Sequence, residues 1–353
     1  MTASFLILCL LAVAFSTAVV YGVRRWALDH LLDVPNERSS HAVPTPRGGG
    51  LGIVLAALPL FVLALFTGDY GTGAHLPALL VFLVCAALIA ALGWFDDRMN
   101  LSASVRLLLQ LGIGAAVVIV IGAAAQTELP GLGVVGFAPL VALAINVVWV
   151  VGFTNIYNFM DGIDGIAGSQ ALIAGLGWAM LLLAMGVRDL ALYAALVAAS
   201  SLGFLFLNRP RALIFMGDVG STFLGFSLAA LPVLAFARTP DSRWLGAGAL
   251  MVAPFLLDGA FTILRRALRR ENVLKPHRSH IYQRLTAKGR FSHLHITSLY
   301  ALYALVSVFC AWLYAISTSA GSMALAIAIP VLIFAALVAW TTALEKRALS
   351  PKG

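Results

Sequence analysis

The chain has 353 residues, 61% of them apolar and only 11% charged, with a net charge of +8. Soluble domains average about 45–50% apolar and about 25% charged, which excludes a soluble multidomain enzyme, a disordered chain and a coiled coil. Strands of an outer-membrane barrel would alternate polar and apolar residues, and these apolar runs are continuous.

Eleven apolar windows of spanning length follow in chain order: 4–22, 51–67, 75–94, 105–125, 137–153, 169–185, 190–207, 221–237, 244–264, 296–316 and 322–344. The first has no Lys or Arg before it and Arg24 and Arg25 directly after it. That reverses the charge order of a signal peptide, so the window reads as a retained span with an external N-terminus. With odd-numbered spans running inward, 20 of the 23 Lys and Arg fall on the cytoplasmic side and only Arg188, Arg238 and Arg243 outside. Basic inner loops orient a polytopic protein, and they explain the positive balance without nucleic acid. The expected fold class is an all-α polytopic integral membrane protein of about eleven transmembrane helices with a cytoplasmic C-terminus. Cys9, Cys85 and Cys310 lie singly in apolar runs, without metal-ligand spacing or a disulfide framework.

Ten of the fifteen carboxylates also fall on the inner side, four outside, and Asp258 within the ninth window. Acidic residues contribute little to topology, so this bias places the chemistry on the cytoplasmic face. The loop 33–50 carries Arg38, His41 and Arg47 ahead of Gly48, Gly49 and Gly50. Such a loop opening a helix suits an anion, whose oxygens backbone amides can approach, and equally an ordinary basic inner loop. Asp96, Asp97 and Arg98 follow the third window; two adjacent acids there either hold a cation or a substrate proton or are solvated beside Arg98.

Asn155, Asn158, Asp161 and Asp164 lie in a run with no Lys or Arg, interleaved with Gly162, Gly165 and Gly168. If helical, Asn158, Asp161 and Asp164 share a face, bare enough for a bulky ligand, and Mg²⁺ held through one or two oxygens fits them. Asp218, between Gly217 and Gly220, precedes the eighth window with Phe215 three residues earlier. It could cap a helix, or hold metal while Phe215 stacks on a base. The last large loop carries His277, Arg278 and His280, suited to a diphosphate or to anionic lipid headgroups. His293 and His295 read as interface decoration. Asp258 is either a functional intramembrane acid or a partner of Arg265.

The runs DVPNERSSH (33–41), PTPRGGG (44–50), DDR (96–98), NFMDGIDGIAG (158–168), FMGDVGS (215–221) and HRSHIYQRL (277–285) together resemble the polyprenyl-phosphate N-acetylhexosamine-1-phosphate transferases, in the right order from about residue 30 to about residue 290. The resemblance implies one membrane-embedded transferase domain over 1–353 in the bacterial inner membrane, with active-site loops near 23–50, 95–104, 154–168, 208–220 and 265–295. It implies transfer of sugar 1-phosphate from a UDP-N-acetylhexosamine to undecaprenyl phosphate with release of UMP, initiating O-antigen or another surface polysaccharide. It also implies Mg²⁺, with Mn²⁺ as an alternative ion, and membrane lipids and a second copy of the chain as partners. On the matching positions, Asp218 resembles the metal ligand with Asn158 beside it, and Asp96 and Asp97 the pair that deprotonates or positions the lipid phosphate. Asp161 and Asp164 resemble acids lining the nucleotide pocket, and Phe215 the uracil-stacking aromatic. Arg38, His41, Arg47, Asn155, His277 and Arg278 are the expected substrate contacts and His280 a catalytic residue. The last loop departs from the H-x-H-H pattern of many relatives, reading His280-Ile281-Tyr282-Gln283. In this it is similar to the branch acting on FucNAc- or QuiNAc-type 6-deoxy sugars. A polytopic transporter or lipid flippase is the alternative, and would place ionisable residues deep in several spans; only Asp258 does so.

Overall fold

The computed structural model describes residues 3–35, 43–66, 73–272 and 277–349. Arg38 and His41 lie outside these described residues. Among these residues the architecture is all-α, with thirteen helices: α1 (Ala3–His30), α2 (Gly50–Phe66), α3 (Leu76–Met99), α4 (Ala103–Ile121), α5 (Pro139–Met160), α6 (Ile166–Ala184), α7 (Arg188–Asn208), α8 (Asp218–Arg238), α9 (Trp244–Met251), α10 (Ala253–Leu268), α11 (Ile281–Thr286), α12 (His293–Ile316) and α13 (Ala320–Leu349). Two short antiparallel ribbons join them: β1 (Leu32–Asp33) with β2 (Thr45–Pro46), and β3 (Gln126–Leu129) with β4 (Gly133–Gly136). Each expected apolar window holds a helix among the described residues, the fourth ending at Ile121, four residues short of its window. Nine helices are long and apolar enough to cross a membrane among the described residues, ten when the bent pair α9–α10 counts as one span, and α2 has 17 residues.

The ninth window differs from the straight span the sequence suggests. It breaks at Val252 into α9 and α10, which meet at an 83° bend. Pro254 supplies the physical reason: it has no N–H to continue the ladder of α9, but sits without penalty in the first turn of α10. The bend lays α10 against α5, where a Cβ on Gly259 would meet Ile156 at 2.4 Å.

Helix α8 is the hub of the molecule. It is apolar nearly all round, and every residue from Val219 to Ala235 is buried, as expected of a helix surrounded by others. It packs on α2, α3 and α5, and these contacts are close because the facing residues are small. A Cβ on Gly50 would lie 2.2 Å from the Gly220 Cα, and one on Gly93 would lie 2.4 Å from the Asp218 carbonyl oxygen. The glycine run 48–50 is therefore spent on helix approach. The amides of Gly49 and Gly50, expected to meet a ligand, donate instead to the carbonyls of Phe215 (2.9 Å) and Met216 (2.8 Å), and the Phe215 amide donates back to Pro46 (2.8 Å). Gly50→Ala should cost about 3 kcal/mol or more, since backbone rather than a side-chain tip would have to move. A thermal melt of the detergent-solubilised protein measures this, and an unchanged midpoint would contradict the packing.

Candidate active site

The third helix runs five residues beyond its apolar window, so Asp96 and Asp97 lie in the last turn of α3 and are buried, at 6% and 3% exposed. The solvated reading of this pair does not hold, and Arg98 is not its partner; the Arg98 guanidinium lies 5.5 Å from the Trp26 and Trp94 rings. Asp96 accepts from the Leu101 amide at 2.8 Å and is paired with Arg106. Asp97 accepts from the Val219 amide at 3.1 Å, at the first turn of α8, and lies 3.9 Å from Arg47 Nε. Arg47 also donates to the Asp97 carbonyl oxygen.

Asp218 is the first residue of α8, and Gly217 precedes it at φ +76°, a conformation L side chains rarely adopt. A Cβ there would also meet the Asp97 carboxylate at 2.6 Å. Asp218 is thus no N-cap. Its carboxylate is 3.2 Å from Arg106 Nη1, the same nitrogen that holds Asp96. Arg106, the fourth residue of α4, clamps the acids of α3 and α8 together. Arg106→Gln leaves Asp96 buried without its cation, at a cost of about 2–3 kcal/mol since the guanidinium is partly solvated. The denaturation midpoint of the purified variant checks this.

The shared face expected for Asn158, Asp161 and Asp164 does not form, because α5 stops at Met160 and Asp161 is its C-cap. Asn158, still helical, accepts from Ser221 Oγ at 2.5 Å, one turn along α8 from Asp218. Asn155, a turn earlier, donates to Gln110 of α4 at 2.6 Å. Burial raises the Asp161 carboxyl to about 7, and the neighbouring carboxylates of Asp97 and Asp164 add to the effect. Asp164 turns the other way. It accepts from the Ala212 amide at 3.2 Å and lies 3.2 Å from His293 Nδ1. His293, dismissed in the sequence, therefore belongs to the site, whereas His295 joins Ser292 at the helix start, at 2.6 Å.

Asn208 was also invisible in the sequence. It accepts from the Gly165 amide at 2.9 Å and donates to the Ile214 carbonyl at 2.8 Å, joining the turn after α5 to the segment before α8. Beside this joint opens a cavity of about 450 Å³ whose lining includes Thr45, Asp164, Arg211, Phe215 and His293.

Asp258 does not take the arginine partner that the sequence spacing offered. It is fully buried and does not pair with Arg265; it accepts from the Ile281 amide (2.9 Å), the Tyr282 amide (3.3 Å) and Tyr300 Oη (2.6 Å), and meets His280 Nδ1 at 3.3 Å. His280 is 1% exposed, and its contacts are to Asp258 and the rings of His277 and Tyr282, not to the carboxylate cluster. Burial, with His280 and Arg266 nearby, lowers His277 to about 4, so its ring is neutral at pH 7. The His277 ring lies 6.2 Å from Phe159, and Tyr282 donates to the Phe159 carbonyl at 3.0 Å. The loop therefore seats on the end of α5. Arg278 instead lines a separate cavity with Arg265 and Arg284.

Three carboxylates, Asp96, Asp97 and Asp218, thus converge on two guanidiniums, Arg47 and Arg106, and Asp161 lies close enough to Asp97 to feel its charge. The excess negative charge suits a divalent cation. Among the described residues no three His, Cys, Asp or Glu side chains are placed as a ready-made metal cage. Mg²⁺ does not need one, being held by one or two carboxylates with water and phosphate oxygens completing its shell. The all-oxygen donors Asp218 and Asn158 fit that mode.

A polytopic helical fold with a carboxylate cluster and an aromatic-lined cavity at its helix ends defines a membrane-embedded enzyme class. Residues 79–236 match the model of glycosyl transferase family 4. A Bacillus subtilis protein named "Probable undecaprenyl-phosphate N-acetylglucosaminyl 1-phosphate transferase" is 32% identical, covering 91% of this chain and 87% of its own. The decaprenyl-phosphate N-acetylglucosaminephosphotransferase of Mycobacterium leprae is 32% identical over 76% of this chain and 73% of its own. The undecaprenyl-phosphate alpha-N-acetylglucosaminyl 1-phosphate transferase of Yersinia pestis is 29% identical over 83% and 81%. The chain belongs to the polyprenyl-phosphate N-acetylglucosaminyl 1-phosphate transferase family.

Proposed function

We propose that this protein transfers an N-acetylhexosamine 1-phosphate from a UDP-sugar to undecaprenyl phosphate, releasing UMP, at the cytoplasmic face of a bacterial inner membrane that it crosses eleven times. The observation that carries the reading is the convergence of Asp96, Asp97, Asp161 and Asp218 beside the cavity lined by Phe215 and Asp164, in a chain of this family. In the reaction an oxygen of the lipid phosphate forms a bond to the sugar-bearing phosphorus, and the bond from that phosphorus to the bridging oxygen breaks. UMP leaves with that oxygen.

Asp218 and Asn158 would hold the Mg²⁺, which offsets charge on the phosphoryl oxygens. Phe215 stacks on the uracil, with Asp164 and His293 on the wall of the same cavity. Asp97 lies against Arg47 and the first turn of α8, placed to orient the lipid phosphate and take its proton. Asp96 fixes Arg106, whose guanidinium faces the diphosphate region. His280, tied to Asp258, holds the loop that sets His277 over Phe159.

The named relatives act on N-acetylglucosamine, whereas the His280-Ile281-Tyr282-Gln283 sequence favours a FucNAc- or QuiNAc-type donor and an O-antigen-like product. The decisive assay incubates purified protein with undecaprenyl phosphate, Mg²⁺ and UDP-GlcNAc, UDP-FucNAc or UDP-QuiNAc, and measures UMP release. No UMP from any donor, with folded protein, would overturn the proposal.

A further inference from the structure

The basic loop splits into two faces. His277 turns toward Phe159 of α5 and His280 toward Asp258, whereas Arg278 and Arg284 turn into a cavity of about 410 Å³ between α10 and α13. Arg265 of α10 and Arg269, its C-cap, line the same cavity, so four guanidiniums share it with one carboxylate, Glu345. That carboxylate is taken up by Arg284 through two bonds, at 2.9 and 2.6 Å. Arg265 Nε is buried with no hydrogen-bond partner among the described residues. Arginines at i and i+4 on one helix repel, and this pair faces a third and fourth of the same sign. An anion would relieve the repulsion and satisfy the orphaned donor.

The surroundings identify the anion as belonging to a lipid. Next to Arg265 and Arg269, α10 exposes Leu264 and Leu268, at 59% and 77%. This end of α10 is amphipathic, with Thr262 and Arg266 buried on one face and the leucines exposed on the other. The cavity is bounded by two helices read as membrane spans and is lined on its apolar side by Phe261. Apolar side chains beside arginines, at a helix end on the basic side, match a headgroup with its acyl chains. None of these residues lines the cavity that contains Phe215 and Asp164.

We infer that the cavity between α10 and α13 binds the phosphate of an anionic phospholipid, at a site separate from the transfer centre. Binding there would secure the 277–286 loop between α10 and α13, since Arg278 and Arg284 belong to it. The inference does not rest on the proposed transferase reaction, and its test needs no turnover.

The test is native mass spectrometry of the full chain in detergent with equal phosphatidylglycerol and phosphatidylcholine. The wild type should retain phosphatidylglycerol in preference. Arg269→Gln, at an exposed position, should lower that preference about fivefold, and Arg265→Gln with Arg269→Gln by about that factor again. An unchanged preference in the folded Arg269→Gln protein would overturn the site. Displacement of the lipid by millimolar inorganic phosphate would overturn the lipid assignment in favour of a soluble anion.

Discussion

Asp218→Asn should lower UMP release by at least about 10³-fold while leaving the fold as stable as before. The two halves have different causes. Asparagine keeps the shape of the side chain at the first position of α8 but removes the charge that Arg106 reads and that the proposed divalent cation would need. Stability should not fall, because Asp218 lies among the carboxylates of Asp96 and Asp97 and is 29% exposed at its side chain. Deleting one of several like charges relieves repulsion and offsets the lost contact with Arg106 at 3.2 Å. Parallel measurement of turnover and denaturation midpoint separates the two. Near-normal turnover would remove Asp218 from the chemistry, and a large drop in midpoint would make its role structural.

Asp258→Asn should behave in the opposite way. Every group facing this carboxylate is a donor: the amides of Ile281 and Tyr282, the hydroxyls of Tyr300 and Thr262, and His280 Nδ1. An amide in its place turns an NH₂ toward donors in a fully buried position. The cost should be about 3–5 kcal/mol, the range for an uncompensated buried polar or charged group. Release of the 281–286 helix should accompany it. Hydrogen exchange on residues 281–286 reads the local effect and a thermal melt the global one. Wild-type protection at Ile281 and Tyr282 would show that their amides do not depend on the carboxylate.

The sequence carried the membrane class and the order of the polar motifs, because apolar windows and Asp/Gly spacing are local signals. Partners across helices were not legible. Arg106 stands alone four residues into α4, and only the burial of Asp96 reveals what it balances. His293 looked like interface decoration because its partner, Asp164, is 129 residues away. The α5 stop was misread: helical spacing gave Asp161 and Asp164 a common face, but the two sit in a turn with opposite surroundings. Gly49 and Gly50 resembled a ligand cradle locally, yet their amides are taken by a strand-like segment from the other half of the chain. Pro254 was a readable sign of the α9–α10 break. The β3–β4 ribbon had its own sign in the turn Pro130-Gly131.

The bonds from Gly49 and Gly50 to Phe215 and Met216 also decide how the enzyme can yield. They weld the segments before α2 and α8 into one stiff plate, with the two helices meeting backbone to backbone at Gly50 and Gly220. The opposite side is held through side chains instead: Asp258 accepts from the Ile281 and Tyr282 amides, Tyr282 donates to the Phe159 carbonyl, and Arg284 pairs with Glu345. Parting the first side would break backbone-to-backbone bonds, whereas parting the 277–286 segment from its neighbours would break only bonds that pass through side chains.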